Sequence, residues 1–133
     1  MVNTVLHPRW IDNATAGLST SVRDDLPVLK AQVNQGIAQL WEINTGNGKS
    51  WMISRIERLP NGKKELVICC YAGCDIKTVT ALIVDSATVQ GFASIRYHTQ
   101  RQGLNRLLSP YGFTPYETIY HKQLTQDNCN GRA

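Results

Sequence analysis

An α/β domain built on a mixed, twisted sheet is the fold class this sequence predicts, and three observations predict it. Apolar patterns follow one another in the order helix, three-strand meander, helix, strand, helix, strand. The run Glu65 to Ala72 is apolar almost throughout, the mark of a central strand covered on both faces. From it the chain passes through a helical pattern to Phe92–Thr99, one parallel crossover expected to be right-handed. Hairpin neighbours plus one parallel pair give a mixed sheet with helices on both faces.

The elements follow in order. Residues 1–20 read as irregular, with Pro8, Gly17 and many small polar residues, anchored by Trp10 and Ile11. A helical pattern opens at Ser21, where Ser21 or Asp24 is placed to cap, and Leu26, Leu29, Val33 and Ile37 recur at helical spacing. Pro27 is tolerated only in a first turn, so the helix starts near Asp25 and stops at Gly36. Ala38–Asn44 reads as a strand, Thr45–Lys49 as a Gly-rich turn, and Ser50–Arg58 as an alternating strand. Leu59–Lys63 holds Pro60 and an Asn61-Gly62 pair, a hairpin signal leading into the apolar run. Gly73-Cys74-Asp75 ends that run, with Asp75 placed to cap the next helix. Ile76, Val79, Leu82, Ile83 and Ala87 mark that helix, and Gly91 ends it. A short helix over Arg101–Leu108, a stop at Ser109–Gly112, a strand over Tyr116–Leu124 and a polar tail over 125–133 complete the chain. One domain over 21–124 is the expected organisation.

At 133 residues the chain suits a single domain with its own core. Its hydrophobic share of 42% and charged share of 18% are globular rather than disordered values. No apolar run reaches the roughly 18 residues of a membrane span, and the first residues lack a signal-peptide pattern. A net charge of +4 is too small to imply nucleic-acid binding. Cys69, Cys70, Cys74 and Cys129, with His98 and His121 downstream, lack the paired spacing of a zinc site, so no metal is expected. On a strand, Cys69 and Cys70 would point to opposite faces. A reducing cytoplasm is the expected compartment.

Leu107-Leu108-Ser109-Pro110-Tyr111-Gly112-Phe113 resembles the leucine-tyrosine-x-x-x-glycine-phenylalanine ending of the GNAT acyltransferases, with Glu117, Tyr120 and Lys122 fitting the closing strand. The element order over 21–124 is similar to that family, minus its usual first strand. The resemblance implies that the loop Cys74-Asp75-Ile76-Lys77-Thr78-Val79 stands where small residues admit the pyrophosphate of acetyl-CoA to backbone amides at a helix N-terminus. Here the small positions hold Lys77 and Val79, whose side chains are expected to crowd that approach, with Asp75 repelling phosphate. Leu108 stands where many members carry a general-acid tyrosine, and Arg101 where they carry an asparagine. Tyr111 and His98 are the remaining catalytic candidates.

Two functional readings follow from the resemblance. One is a non-catalytic interaction or assembly component without cofactor, similar to small GNAT-like proteins of tailed bacteriophages, with other protein subunits as partners. It would act in the host cytoplasm or within a phage particle. The other is an acetyl-CoA-dependent N-acetyltransferase with an atypical loop. Neither membrane nor nucleic acid is an expected partner. Glu57 and Glu65 read as solvated hairpin ends, Arg96, Arg101 and Arg106 as a solvated face, and Trp10, Trp41 and Trp51 as core and lid aromatics.

Overall fold

The computed structural model describes residues 2–22, 26–98, 104–116, 119–120, 122 and 124. The expected roles of Asp24, Asp25, Arg101, Glu117, His121, Cys129 and the tail 125–133 lie outside the described residues. A five-stranded sheet runs in the order β1 (Asn3–His7), β2 (Ala38–Asn44), β3 (Lys49–Arg58), β4 (Lys64–Ala72), β5 (Ser94–Tyr97). The first four are antiparallel neighbours, and β4 pairs with β5 in parallel, Glu65 opposite Ser94 and Ile68 opposite Tyr97. The meander and the crossover stand where the alternation and the turn residues put them.

Helices cover both faces. α1 (Asp12–Val22) and α2 (Leu26–Asn34) lie on one face, where Ala14, Leu18, Leu29 and Val33 pack with Leu40, Trp51, Ile53 and Cys70. Pro27 sits in the first turn of α2, and Ile37, beyond Gly36, is half exposed rather than part of its apolar stripe. α3 (Ile76–Val89) covers the other face through Val79 and Ile83, against Ile43, Met52, Ile68 and Tyr71. α4 (Leu104–Leu108) runs into a 3-10 turn, Ser109–Tyr111, and both pack on α3. Trp51 is buried, and the indole N–H groups of Trp10 and Trp41 donate to Thr15 Oγ1 and Ser54 Oγ, each at 3.0 Å.

Four expectations are corrected. The first strand is present, since Asn3–His7 pairs along the whole of β2, and 1–20 is therefore not irregular. This edge strand shows no buried alternation, because Val5 and Leu6 remain 38% and 50% exposed. Among the described side chains of α1, Ala14 and Leu18 are buried, and Gly17 is needed because a Cβ there would stand 2.8 Å from Trp51 Nε1. Cys69 and Cys70 do not separate to opposite faces. Ile53 pairs with Cys70 but Ser54 with Ile68, so Cys69 is the extra residue of a β-bulge, and both cysteines touch the α1–α2 core. Finally, Tyr116, Ile119, Tyr120, Lys122 and Leu124 are not in a strand, so the expected strand 116–124 is not formed at its described positions.

Candidate functional site

The site expected from the loop lies at the C-terminal end of β4. The final bond described between β4 and the segment of β5 is from His98 N–H to Ile68 O, at 3.0 Å. Among the described residues no strand pairs with Cys69–Ala72 on that side. Arg96 and Tyr97 pair with Val67 and Ile68, so the described pairing on this side of β4 reaches Ile68. The bulge at Cys69 sits at this point and adds twist to the strand as it leaves its neighbour.

The β4–α3 loop is clamped by the β2–β3 turn. Gly73 is forced: its φ is 144°, and a Cβ there would lie 2.6 Å from the Ser50 Cα. Gly48 lets the turn descend, since a Cβ on it would meet the Cys74 Sγ at 2.7 Å. The hydroxyls of Tyr71 and Ser50 both donate to the Cys74 carbonyl, at 2.6 and 2.9 Å. Burial pushes the Tyr71 phenol above its ordinary pKa, so it acts here as a donor.

Asp75 departs from expectation. It occupies the N-cap position of α3 in the left-handed region, φ 57°, and its side chain makes no capping bond. Asp is among the few residues that visit this region at tolerable cost. Its carboxylate instead accepts from Thr45 Oγ1 and from Asn47 Nδ2, the latter at 2.9 Å. The αL backbone directs the side chain at the β2–β3 turn, where two neutral donors wait. The Thr45 bond, then the Asn47 bond, holds its pKa below the usual carboxylate range. The loop therefore carries a fixed negative charge.

Nor do the other loop residues crowd as expected. Val79 is fully buried in the α3 core and faces the sheet, while Lys77 and Thr78 face solvent. At the expected acid position Leu108 is buried at 6% exposure, inert core rather than a proton donor. Tyr111 is half-buried in the 3-10 turn, and His98 is exposed just past β5. The structure brings Cys74 and Asp75 together with Thr45, Asn47, Ser50 and Tyr71. Thr45 and Asn47 were legible only as turn residues, since nothing local ties them to Asp75 30 and 28 positions on.

Away from the loop, Glu57 and Glu65 are not solvated ends. They are cross-strand neighbours bridged by Arg96, at 2.9 Å to Glu57 and 3.3 Å to Glu65, with Arg55 2.7 Å from Glu57. Ser94 Oγ donates to Glu65 at 2.8 Å. Arg55 first, then Arg96, lowers the Glu57 pKa. Arg96 is thus committed, not part of a free basic face. On the same sheet face His7 Nε2 lies 2.9 Å and Lys49 Nζ 3.2 Å from the Glu42 carboxylate, whose pKa the His7 bond lowers. Burial raises the Cys69 thiol and pushes Cys70 up to about 12, so neither is poised as a nucleophile. Among the described residues no three His, Cys, Asp or Glu side chains are grouped to hold a metal ion. No helix among them is long and apolar enough to cross a membrane.

Neither a family model nor a curated protein sequence matches the chain. Solved structures do. The ribosomal-protein-alanine N-acetyltransferase from Brucella melitensis biovar Abortus 2308 superposes with a TM-score of 0.63 over 94% of this chain and 100% of that one, at 13% identity. The chain has the GNAT-like fold. An aminoglycoside antibiotic 6'-N-acetyltransferase from Acinetobacter baumannii follows at TM-score 0.57, covering 92% of this chain and 99% of the other, at 10% identity. Glucosamine-6-phosphate N-acetyltransferase from Arabidopsis thaliana gives 0.51 over 92% and 99%, at 11% identity. Likeness at such low identity carries the fold alone.

Proposed function

We propose that this GNAT-like domain works by contact rather than by acyl transfer, as an interaction or assembly component with other protein subunits as partners. The observation that carries this reading is the Asp75 carboxylate, fixed by Thr45 and Asn47 at the N-terminal end of α3. A pyrophosphate arriving there meets an ionised group instead of a cation. The buried Leu108, where a proton donor would be wanted, supports the same reading. So do Tyr116, Ile119, Tyr120 and Leu124, which stay 81%, 75%, 92% and 78% exposed along one short stretch of chain. The presence of β1 removes one ground for the likeness to tailed-phage proteins, and the proposal is the assembly role without a phage origin. Incubation with acetyl-CoA and a panel of amines tests it: thiol release should stay at the level of buffer, and saturable release would reject the proposal.

One observation favours a second reading. α3 begins without a side-chain cap, and among the described residues no strand pairs with β4 on the β5 side beyond Ile68. Uncapped amides at a helix N-terminus are a place for an anion. On this reading the domain is an acetyl-CoA-dependent N-acetyltransferase whose loop amides hold the cofactor despite Asp75. The two readings part on binding before they part on turnover.

A further inference from the structure

The opposite end of the sheet, where β3 turns into β4, holds a cavity of about 530 Å³ walled by Arg58, Lys63, Lys64, Gly91 and Phe92. Three of the lining residues are cationic and none is acidic. Arg58 and Lys64 stand directly opposite each other in the β3–β4 register, a like-charge pairing that works against a sheet. Among the described residues no carboxylate relieves it. Among the described residues neither they nor Lys63 form an ion pair, and Arg58 donates only to the Gly62 carbonyl, at 3.2 Å. Lys64 Nζ lies 4.7 Å over the Phe92 ring, which orients the charge without neutralising it. The neighbouring carboxylates, Glu57 and Glu65, alternate to the other sheet face and are already bound by Arg55 and Arg96.

The competing explanation is that these cations answer the C-terminal end of α3, whose last turn carries no basic residue of its own. That end contributes about half a negative charge. Three cations leave most of the positive charge unspent.

We propose that this cavity binds a small ligand bearing several linked phosphate groups. Arg58 supplies a planar fork for one phosphate, and Lys63 and Lys64 supply point charges for the next. The 14 residues of α3 put the cavity about 21 Å from the loop end, so the two sites are separate. Inorganic tripolyphosphate and a nucleoside triphosphate present the same chemistry. Because Lys64 covers the Phe92 ring, the base should add little, and the two should bind with affinities within about threefold.

The test is a titration of the full chain with tripolyphosphate and, separately, with ATP, without divalent cations, followed by amide chemical shifts. Saturable shifts should cluster at Gly62, Lys63, Lys64, Gly91 and Ala93 and weaken as salt rises. The double variant Arg58→Gln/Lys64→Gln should keep its native spectrum, since it removes a repulsion, and lose affinity at least tenfold. Lys63→Gln alone should lose severalfold. An ATP affinity more than tenfold above that of tripolyphosphate, with both mapping to the cavity, would overturn the claim that linked phosphates alone are recognised. No saturable shift, shifts centred on residues 76–78, or unchanged binding by the double variant would overturn the proposal.

Discussion

The two ends of this sheet handle charge in opposite ways. At the loop end a carboxylate, Asp75, is held by a hydroxyl and an amide, with no cation bound to it among the described residues. At the hairpin end two carboxylates face each other across β3 and β4 and are bridged by guanidinium groups, while three further cations have no ion pair among the described residues. Neutral donors fix a negative charge without cancelling it, whereas ion pairs cancel it. The end that the fold would offer to a phosphate is therefore the electrostatically poorer of the two. Both ends depend on non-local partners, but only one depends on close backbone contact.

That contrast can be broken at several points. The largest effect is expected for Gly73→Ala, because the added methyl collides with Ser50 at a backbone angle L-residues avoid. It should cost about 3 kcal/mol by overpacking, read in urea unfolding. A cost below about 1 kcal/mol would mean the clamp is looser than described. Next comes Arg96→Met, which leaves Glu57 facing Glu65. Removing one partner of a buried pair costs about 3–5 kcal/mol, and part exposure of Glu57 reduces this to about 2. Adding Glu57→Gln should recover roughly half of the loss.

The pH dependence sharpens the same point. The folded pKa of Glu57 lies below its unfolded value, so the unfolded chain binds more protons in that window. Its contribution is in place above the ordinary glutamate value of about 4.3 and disappears as pH falls through the folded pKa. Arg96→Met should flatten that acid limb in unfolding scans from pH 7 to 2. Asp75→Asn should change stability least of the three. Asn also tolerates the left-handed backbone and still accepts from Thr45. What it should change is the charge of the loop end.

The residues made some of this readable and hid the rest. Alternation in Ser50–Arg58, the Asn61-Gly62 turn and the apolar run to Ala72 each act within a few residues, and each gave its strand correctly. β1 stayed hidden because an edge strand with Val5 and Leu6 in solvent has no buried face to write into sequence. α1 stayed hidden because its helix rests on Ala14 and Leu18 around a glycine that Trp51 requires. The bulge adds one residue, Cys69, to an apolar run, and any of its neighbours would look the same. The break after β4 is readable from Gly73 and Asp75, but Asp75 does not take the capping role that its position suggests. Capping is a local rule, and it lost to donors that the meander brings from the β2–β3 turn. The burial of Val79 followed from helical spacing, which placed it in the core stripe with Ile83.

Everything functional turns on whether the charge at Asp75 keeps a phosphate out. Acetyl-CoA titrated into the wild-type chain at pH 7, up to millimolar concentration and followed by thermal unfolding, asks this directly. The account predicts no shift for the wild-type chain and a measurable, saturable one for Asp75→Asn, since only the charge differs. A wild-type shift that saturates, approaching the roughly 2.7 kcal/mol expected at 100 times Kd, would contradict it and return the loop end to cofactor binding.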